Sequence, residues 1–295
     1  MIWGTTWAVI RVGLRGLPPF TGVALRFAVA AAALLLLAPV FGVKLGRGRT
    51  ERRLWWANAF CTFIVPYSVL YWAEQTVPSG LCAVIFSTFP LLTALAAHVV
   101  LPAERLTFRS IAGILVGFAG IAVIFSADFH ALGGSRVARD AAILLISPLF
   151  AALGNVTVKR WGDDLHPMST AAVPMAITAA VTGAAALLTE TGLHVTWNTS
   201  SVLSILYLGL IGSAFPFTLY FWLLRHQSAT NLSMINYATP ILALIVGSLF
   251  MGEAFPPRIL AGSALVLVGV AVAVNKGRQK VEQRGLVEEG VTSRQ

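Results

Sequence analysis

The feature that most constrains this chain is where its charges sit. Only 11% of the 295 residues are charged, against about 25% in an ordinary soluble domain. Those charges gather in short stretches between long uncharged blocks. Ten blocks, at roughly 1–15, 20–41, 54–73, 80–101, 108–127, 141–158, 168–189, 200–224, 231–251 and 257–275, reach or approach the ~20 apolar residues a helix needs to cross a hydrocarbon core. Turn-forming residues fill the gaps: Pro18-Pro19, Gly46 to Gly48, Pro78-Ser79-Gly80, Gly133-Gly134 and Pro256-Pro257. The blocks are continuously apolar instead of alternating, so spanning helices are expected and barrel strands are not. The expected fold is an all-α membrane protein with ten transmembrane helices.

The first block is short. At 1.5 Å per residue, Met1 to Arg15 covers only about 22 Å, which predicts a thinly inserted helix or a start upstream. Arg11 lies inside the apolar run and no basic residue precedes it, so a removable signal peptide is not expected. With Met1 on the cytoplasmic side, fifteen Lys and Arg residues fall on that side and five on the other, with Arg26 inside a span. Basic loops favour the cytoplasmic face, so both termini are expected there. The same loops facing anionic lipid account for the net charge of +9 without a nucleic-acid partner. Cys61 and Cys82 both fall in spans and read as small buried residues. The polar stretch 276–295 reads as a flexible cytoplasmic tail.

Self-comparison exposes a repeat. Shifted by 150 residues, Pro66 falls on Pro216, Trp72 on Trp222, Pro90 on Pro240 and Leu92 on Leu242. Shifted by 149, Glu104 falls on Glu253, Arg109 on Arg258, Gly113 on Gly262 and Gly120 on Gly269. Two five-span copies are expected, at 1–127 and 141–275. Five is odd, so the second copy would enter the membrane from the opposite side, and the expected architecture is two inverted five-helix repeats. Secondary transporters are commonly built this way, with the substrate near the midplane between the repeats.

These residues resemble the drug/metabolite transporter superfamily in its ten-helix form with two EamA-type repeats. The resemblance runs through Trp3-Gly4 and Trp7, Arg26-Phe27, Pro90, and Glu104-Arg105-Leu106 with Gly113, Gly117 and Gly120. The second copy carries Pro240, Gly252-Glu253, Gly262 and Gly269. It covers about residues 1–275 and implies export or exchange of small metabolites, often amino acids, across a bacterial inner membrane. The copies also differ: Pro174 stands where Arg26 would align, and Asn155 stands near the place of Trp7.

An ionisable side chain within a span is costly and so draws attention. Arg26 lies about six residues into the second span. It could meet a substrate carboxylate, or instead have a structural role or snorkel about 10 Å to the outer interface, and structure or snorkelling is preferred. Of the acids, only Glu74 and Asp140 approach a span, each at an end. Glu104 and Glu253 open the fifth and tenth spans, and their matched placement reads as structural, capping those helices and locking loops. His98 reads as a buried or interfacial polar residue.

Polar and aromatic groups near proline kinks are the stronger cavity candidates, because a proline within a span frees a carbonyl and bends the helix. Tyr67 and Tyr71 follow Pro66 on one helical face. Thr88 precedes Pro90, and Asn236 and Tyr237 precede Pro240. With Trp7, Arg26 and Asn155, these form the expected substrate-binding set. Trp3, Trp55, Trp56 and Trp72 are assigned to the interfacial aromatic belt, and Gly113 to Gly120 to close helix packing.

The expected function is a secondary transporter moving small organic solutes by alternating access. No nucleotide-binding loop occurs, and no catalytic residues, metal or cofactor are expected. The expected partners are a small-molecule substrate and the lipid bilayer. An intramembrane enzyme would need clustered nucleophiles or acids, which the chain lacks; a passive channel would leave the repeat without a switching role. With no carboxylate or histidine in mid-span, exchange or efflux with weak or no proton coupling is expected.

Overall fold

A computed structural model describes residues 2–43, 48–126, 133–237 and 239–274. The expected tail at 276–295 lies outside the described residues. Among them the chain is mostly helical, and the helical segments can be grouped in chain order into ten rods. These are α1 (Ile2–Gly13), α2 (Pro19–Leu37), α3 (Arg49–Asn58, Ala59–Ile64, Val65–Ala73), α4 (Ser79–Phe86, Phe89–Val100) and α5 (Phe108–Phe125). They continue as α6 (Ser135–Leu144, Ile146–Trp161), α7 (Pro167–Thr189), α8 (Thr199–Leu206, Tyr207–Ala214, Phe215–His226), α9 (Ala229–Ser233, Met234–Tyr237, Thr239–Met251) and α10 (Pro257–Val274).

Among the described residues six helical stretches are long and apolar enough to cross a membrane, including Pro19–Leu37, Ser79–Val100 and Thr199–His226. Large apolar side chains cover much of the outside. Val99 is 82% exposed and Leu188 80%, a surface that water would not tolerate and lipid requires. The protein is an all-α membrane protein. α3 and α6 start earlier than their apolar blocks, at Arg49 and Ser135. In α6 this start is possible because buried Asp140 pairs with Arg139 at 2.8 Å and accepts from Thr76 Oγ1 at 2.7 Å.

Prolines explain the irregular rods. In α3 and α8 a π-helical turn, Ala59–Ile64 and Tyr207–Ala214, immediately precedes Pro66 and Pro216. Proline lacks the N–H that would close the preceding turn, so the backbone widens there. α4 breaks at Ser87-Thr88 before Pro90, and α9 is irregular before Pro240. The core lies between α1 to α4 and α8, around Val23, Phe27, Phe63, Leu81 and Phe221.

α5 and α10 form the most extensive helix pair, and glycine makes the approach possible. A Cβ on Gly120 would lie 2.7 Å from the Gly262 carbonyl oxygen, and one on Gly269 would lie 2.6 Å from the Gly113 oxygen. The arginines flanking this seam are also exchanged. Arg109 Nε donates to the Val272 carbonyl at 3.2 Å, and Arg258 Nη1 to the Ser126 carbonyl at 3.1 Å. Each guanidinium thereby satisfies a carbonyl left open near the other helix's C-terminus.

Three helix N-termini are capped by carboxylates from distant sequence. Glu104 accepts from Ala229 N (2.8 Å), Thr230 N (3.0 Å) and Thr230 Oγ1 (2.7 Å) at the start of α9. Glu253 accepts from Ser79 N (2.7 Å), Ser79 Oγ (2.8 Å) and Gly80 N (3.0 Å) at the start of α4. Glu190 does the same for Phe20 N, Thr21 N and Thr21 Oγ1 at the start of α2. The expectation that Glu104 and Glu253 cap the helices they precede is corrected. Thr107 caps α5 itself, and the glutamates reach across to other helices. α2 and α4 have proline at the N-cap position, Pro18 and Pro78, with no side-chain oxygen to offer, so a remote carboxylate supplies it.

Two predictions follow from this packing. Gly120→Val should cost about 1–3 kcal/mol or more by overpacking against the α10 backbone; Gly183→Ala, whose new Cβ would meet only Ala24 Cβ at 3.8 Å, should be tolerated. Thermal unfolding of the purified protein in detergent compares them, and equal midpoints would contradict the packing. Glu104→Ala and Glu253→Ala should each lower stability by about 1–3 kcal/mol, because donors lose their charged acceptor. An unchanged midpoint for both would show that the caps contribute nothing.

Candidate functional site

A partly open cavity lies among α1, α2, α3, α4, α6, α8 and α9. The helix breaks surround it. Thr62 and Pro66 lie at the π-helical turn and kink of α3, Phe86 and Phe89 on either side of the break in α4, and Asn236 in the irregular part of α9. Bent helices leave side chains there that cannot close against one another, and the gap between them is the cavity.

Among the described residues Arg26 is its one charged lining residue. It does not snorkel: it is 1% exposed. Its Nε donates to Ser213 Oγ at 2.8 Å and its Nη2 to the Gly212 carbonyl at 3.2 Å. Both partners sit in the π-helical turn of α8, where backbone bonding is displaced from the ordinary helical pattern. The guanidinium carbon lies 4.6 Å from the Tyr67 ring centre and 5.5 Å from that of Phe27, as cation–π contacts require. Nη1 has no partner. Among the described residues the only ion pair within bonding distance is Arg139–Asp140, so no carboxylate is paired directly with Arg26.

Two further lining residues carry buried polar atoms without a partner, Trp7 at Nε1 and Thr62 at Oγ1. Tyr220 donates to Asn155 Oδ1 at 3.0 Å, and Asn155 Nδ2 reaches the Ala229 carbonyl at 3.4 Å. Much of the remaining wall is aromatic, beside Ile10, Leu70 and Ala151. Trp3 packs on Phe217 and Tyr220 at 5.3 and 5.7 Å, Trp7 on Phe86 at 5.6 Å, and Phe63 on Phe217 at 4.9 Å. The site therefore offers one buried cation, unfilled hydrogen-bonding capacity and extended ring faces. Among the described residues no cluster of His, Cys, Asp and Glu could hold a metal ion.

Of the residues expected from sequence, Trp7, Arg26, Tyr67, Asn155 and Asn236 line this cavity together. Tyr71 lines a smaller adjoining cavity that Arg26 also borders. Thr88 does not line the main cavity. It is buried, and its hydroxyl donates to the Ile85 carbonyl at 2.8 Å within its own helix, satisfying the break in α4. The Tyr237 side chain lies outside what the structure describes. Thr6, Thr62, Phe86, Phe89, Phe217, Tyr220 and Phe221 were not anticipated. Trp3 belongs to the cavity wall instead of the interfacial belt, donating from Nε1 to the Gly212 carbonyl at 3.3 Å. Trp55 also departs from the belt, being buried. The run Phe217 to Phe221 follows Pro216, and its place just after a kinked proline was the available signal. His98 accepts at Nδ1 from Leu106 N and holds a loop.

Comparison with known proteins agrees with this architecture. The model of the EamA-like transporter family matches residues 1–126 and 140–275. The probable terminal-alkyne amino-acid exporter of Streptantibioticus cattleyicolor is 31% identical over 91% of this chain and 88% of its own. The uncharacterized inner membrane transporter YedA of Escherichia coli is 28% identical over 94% and 88%, and the uncharacterized transporter YoaV of Bacillus subtilis 24% over 92% of each. A crystal structure sharing 22% identity superposes with a TM-score of 0.71 over 94% of this chain and 95% of that one, a likeness of fold. The chain belongs to the EamA-like transporter family.

Proposed function

We propose that the protein is a secondary transporter that exports or exchanges small carboxylate-bearing metabolites, amino acids among them, by alternating access. The observation that carries the substrate class is Arg26, a buried guanidinium with a free Nη1 and no protein carboxylate beside it, bordering an aromatic cavity. An unpaired buried cation is costly, and a substrate carboxylate would offset that cost while accepting hydrogen bonds. Trp7 Nε1 supplies another donor, and the ring faces suit an apolar side chain or, through cation–π attraction, an ammonium group. The name of the Streptantibioticus relative, an amino-acid exporter, agrees with this chemistry.

The same reading takes residues 1–127 and 141–275 as inverted five-helix repeats. Supporting it, Gly113 and Gly120 of one copy meet Gly269 and Gly262, the other copy's equivalents in exchanged order. Arg109 with Arg258 and Glu104 with Glu253 repeat that exchange. The bias of Lys and Arg toward one side supports the reading that both termini lie in the cytoplasm and the chain in a bacterial inner membrane.

Proteoliposomes loaded with unlabelled amino acid and given labelled amino acid test the reading by counterflow. Phenylalanine and methionine, with apolar side chains, should move saturably, and their methyl esters poorly. Arg26→Gln should reduce flux about 10–100-fold, the loss expected for hydrogen bonds to a charged group, and Arg26→Lys should restore part of it. Esters moving as well as acids, or Arg26→Gln matching the parent for every solute, would refute the assignment. Labelled solute passing without counterflow stimulation would indicate a pore.

A further inference from the structure

Glu74 follows the last residue of α3, and its N–H still bonds back to the Leu70 carbonyl at 2.9 Å. From sequence it lies at a span edge, where a carboxylate can face water. In the structure it is 0% exposed, and neither carboxylate oxygen has a hydrogen-bond partner. Other groups have taken the donors nearby. Arg11 of α1 spends Nη1 on the backbone carbonyls of Glu74 itself, at 2.5 Å, and of Val77, at 2.9 Å. The N–H groups of Ser79 and Gly80 at the start of α4 go to Glu253.

The charged and titratable groups around Glu74 come from every side. Arg11 (α1), Arg26 (α2) and Glu253 (the α9–α10 link) act on it electrostatically, and its own charge acts on Tyr71 (α3) and Cys82 (α4). From α6, Asp140 reaches Thr76, two residues along, but is engaged with Arg139 and the Thr76 hydroxyl. Tyr71 is one helical turn from Glu74, its hydroxyl is buried and interacts with Arg26, and with Arg26 it borders the small cavity beside the main one.

A buried carboxylate with no donor is strongly disfavoured as an anion, whereas the neutral acid needs only modest solvation. The conformation seen here therefore accommodates a proton on Glu74. Separating α1, the α3–α4 link and the α9–α10 link would admit water and favour the anion. Protonation and closure of this end are then reciprocally linked.

We propose that Glu74 is a proton-binding site whose occupancy favours closure of this end of the carrier, coupling solute movement to protons. The proton comes onto a Glu74 carboxylate oxygen from water of the compartment this end faces. It leaves to water entering from the cavity side, past Tyr71 and Arg26, in the opposite conformation. This replaces the expectation of weak or no proton coupling, which depended on the absence of a buried acid. It rests on the carrier reading, and not on which solute is carried.

Infrared difference spectroscopy of the full chain in lipid, titrated with pH and without solute, tests proton binding directly. The parent should show a carboxylic-acid C=O band that titrates, and Glu74→Gln, which keeps the shape of the neutral acid, should lose it. A parent without such a band, or a band retained in Glu74→Gln, overturns the proposal. Coupling is read from phenylalanine flux with and without a pH gradient. The ratio should be at least tenfold in the parent and fall toward one in Glu74→Gln. A parent that carries phenylalanine with no response to the gradient overturns the coupling. Failure to carry phenylalanine contradicts the substrate reading instead, and leaves the infrared result to decide the proton site.

Discussion

A helix that begins at the edge of a lipid bilayer exposes N–H groups that neither lipid nor the helix itself can satisfy. In this protein three such starts, at α2, α4 and α9, receive a glutamate from elsewhere in the chain: Glu190, Glu253 and Glu104. These contacts join segments separated by 125 to 174 residues. They also fix the ends of α4 and α9, the two rods whose proline-associated irregularities border the cavity. Both rods are held at their N-terminal ends by equivalent carboxylates from distant segments. A capping hydrogen bond can break and reform at an interface with water at modest cost, which an interlocked apolar core could not do.

Between these ends, packing and polarity are divided unevenly. The α5–α10 seam brings backbones together through glycine and leaves little freedom. Around the cavity, bent helices leave a gap lined by rings, and the one buried cation is held by a hydroxyl and a carbonyl instead of a counter-charge. Those two neutral partners orient Arg26 without neutralising it. That leaves its electrostatic attraction available to a solute that brings its own negative charge. Glu74, nearby in electrostatic terms but not bonded to Arg26, is poised to respond to the same opening and closing.

Much of this was legible in the chain itself, for physical reasons. Lipid demands long apolar blocks, so the helices stand out. Gly113 and Gly262 stand out because few residues permit backbone contact, and Arg26 because a charge in a span needs a reason. What could not be read was which way a side chain turns. Thr88 looked like a cavity hydroxyl, yet a broken helix needs its own carbonyls satisfied and Thr88 serves that need. Trp3 and the Phe217–Phe221 run looked the same whether they faced lipid or a solute, since rings suit both. Glu104 and Glu253 sat at helix starts, and nothing local shows that their partners lie on other helices. Glu74 could be placed at an edge but not seen to be sealed in, because burial there comes from α1, α4 and the α9–α10 link together.

The central claim is that the two ends open in turn around one cavity. Spin-label distances measured on the full chain in lipid test it most directly. One pair would be placed at exposed Arg105 and Gln227 beside the Glu104 cap, and a second at exposed Gln75 and Ala254 beside the Glu253 cap. Across conditions of pH and added amino acid, the account predicts that the populations shift in opposite directions, one pair lengthening as the other shortens. Two pairs that stay fixed, or that lengthen together, would contradict it.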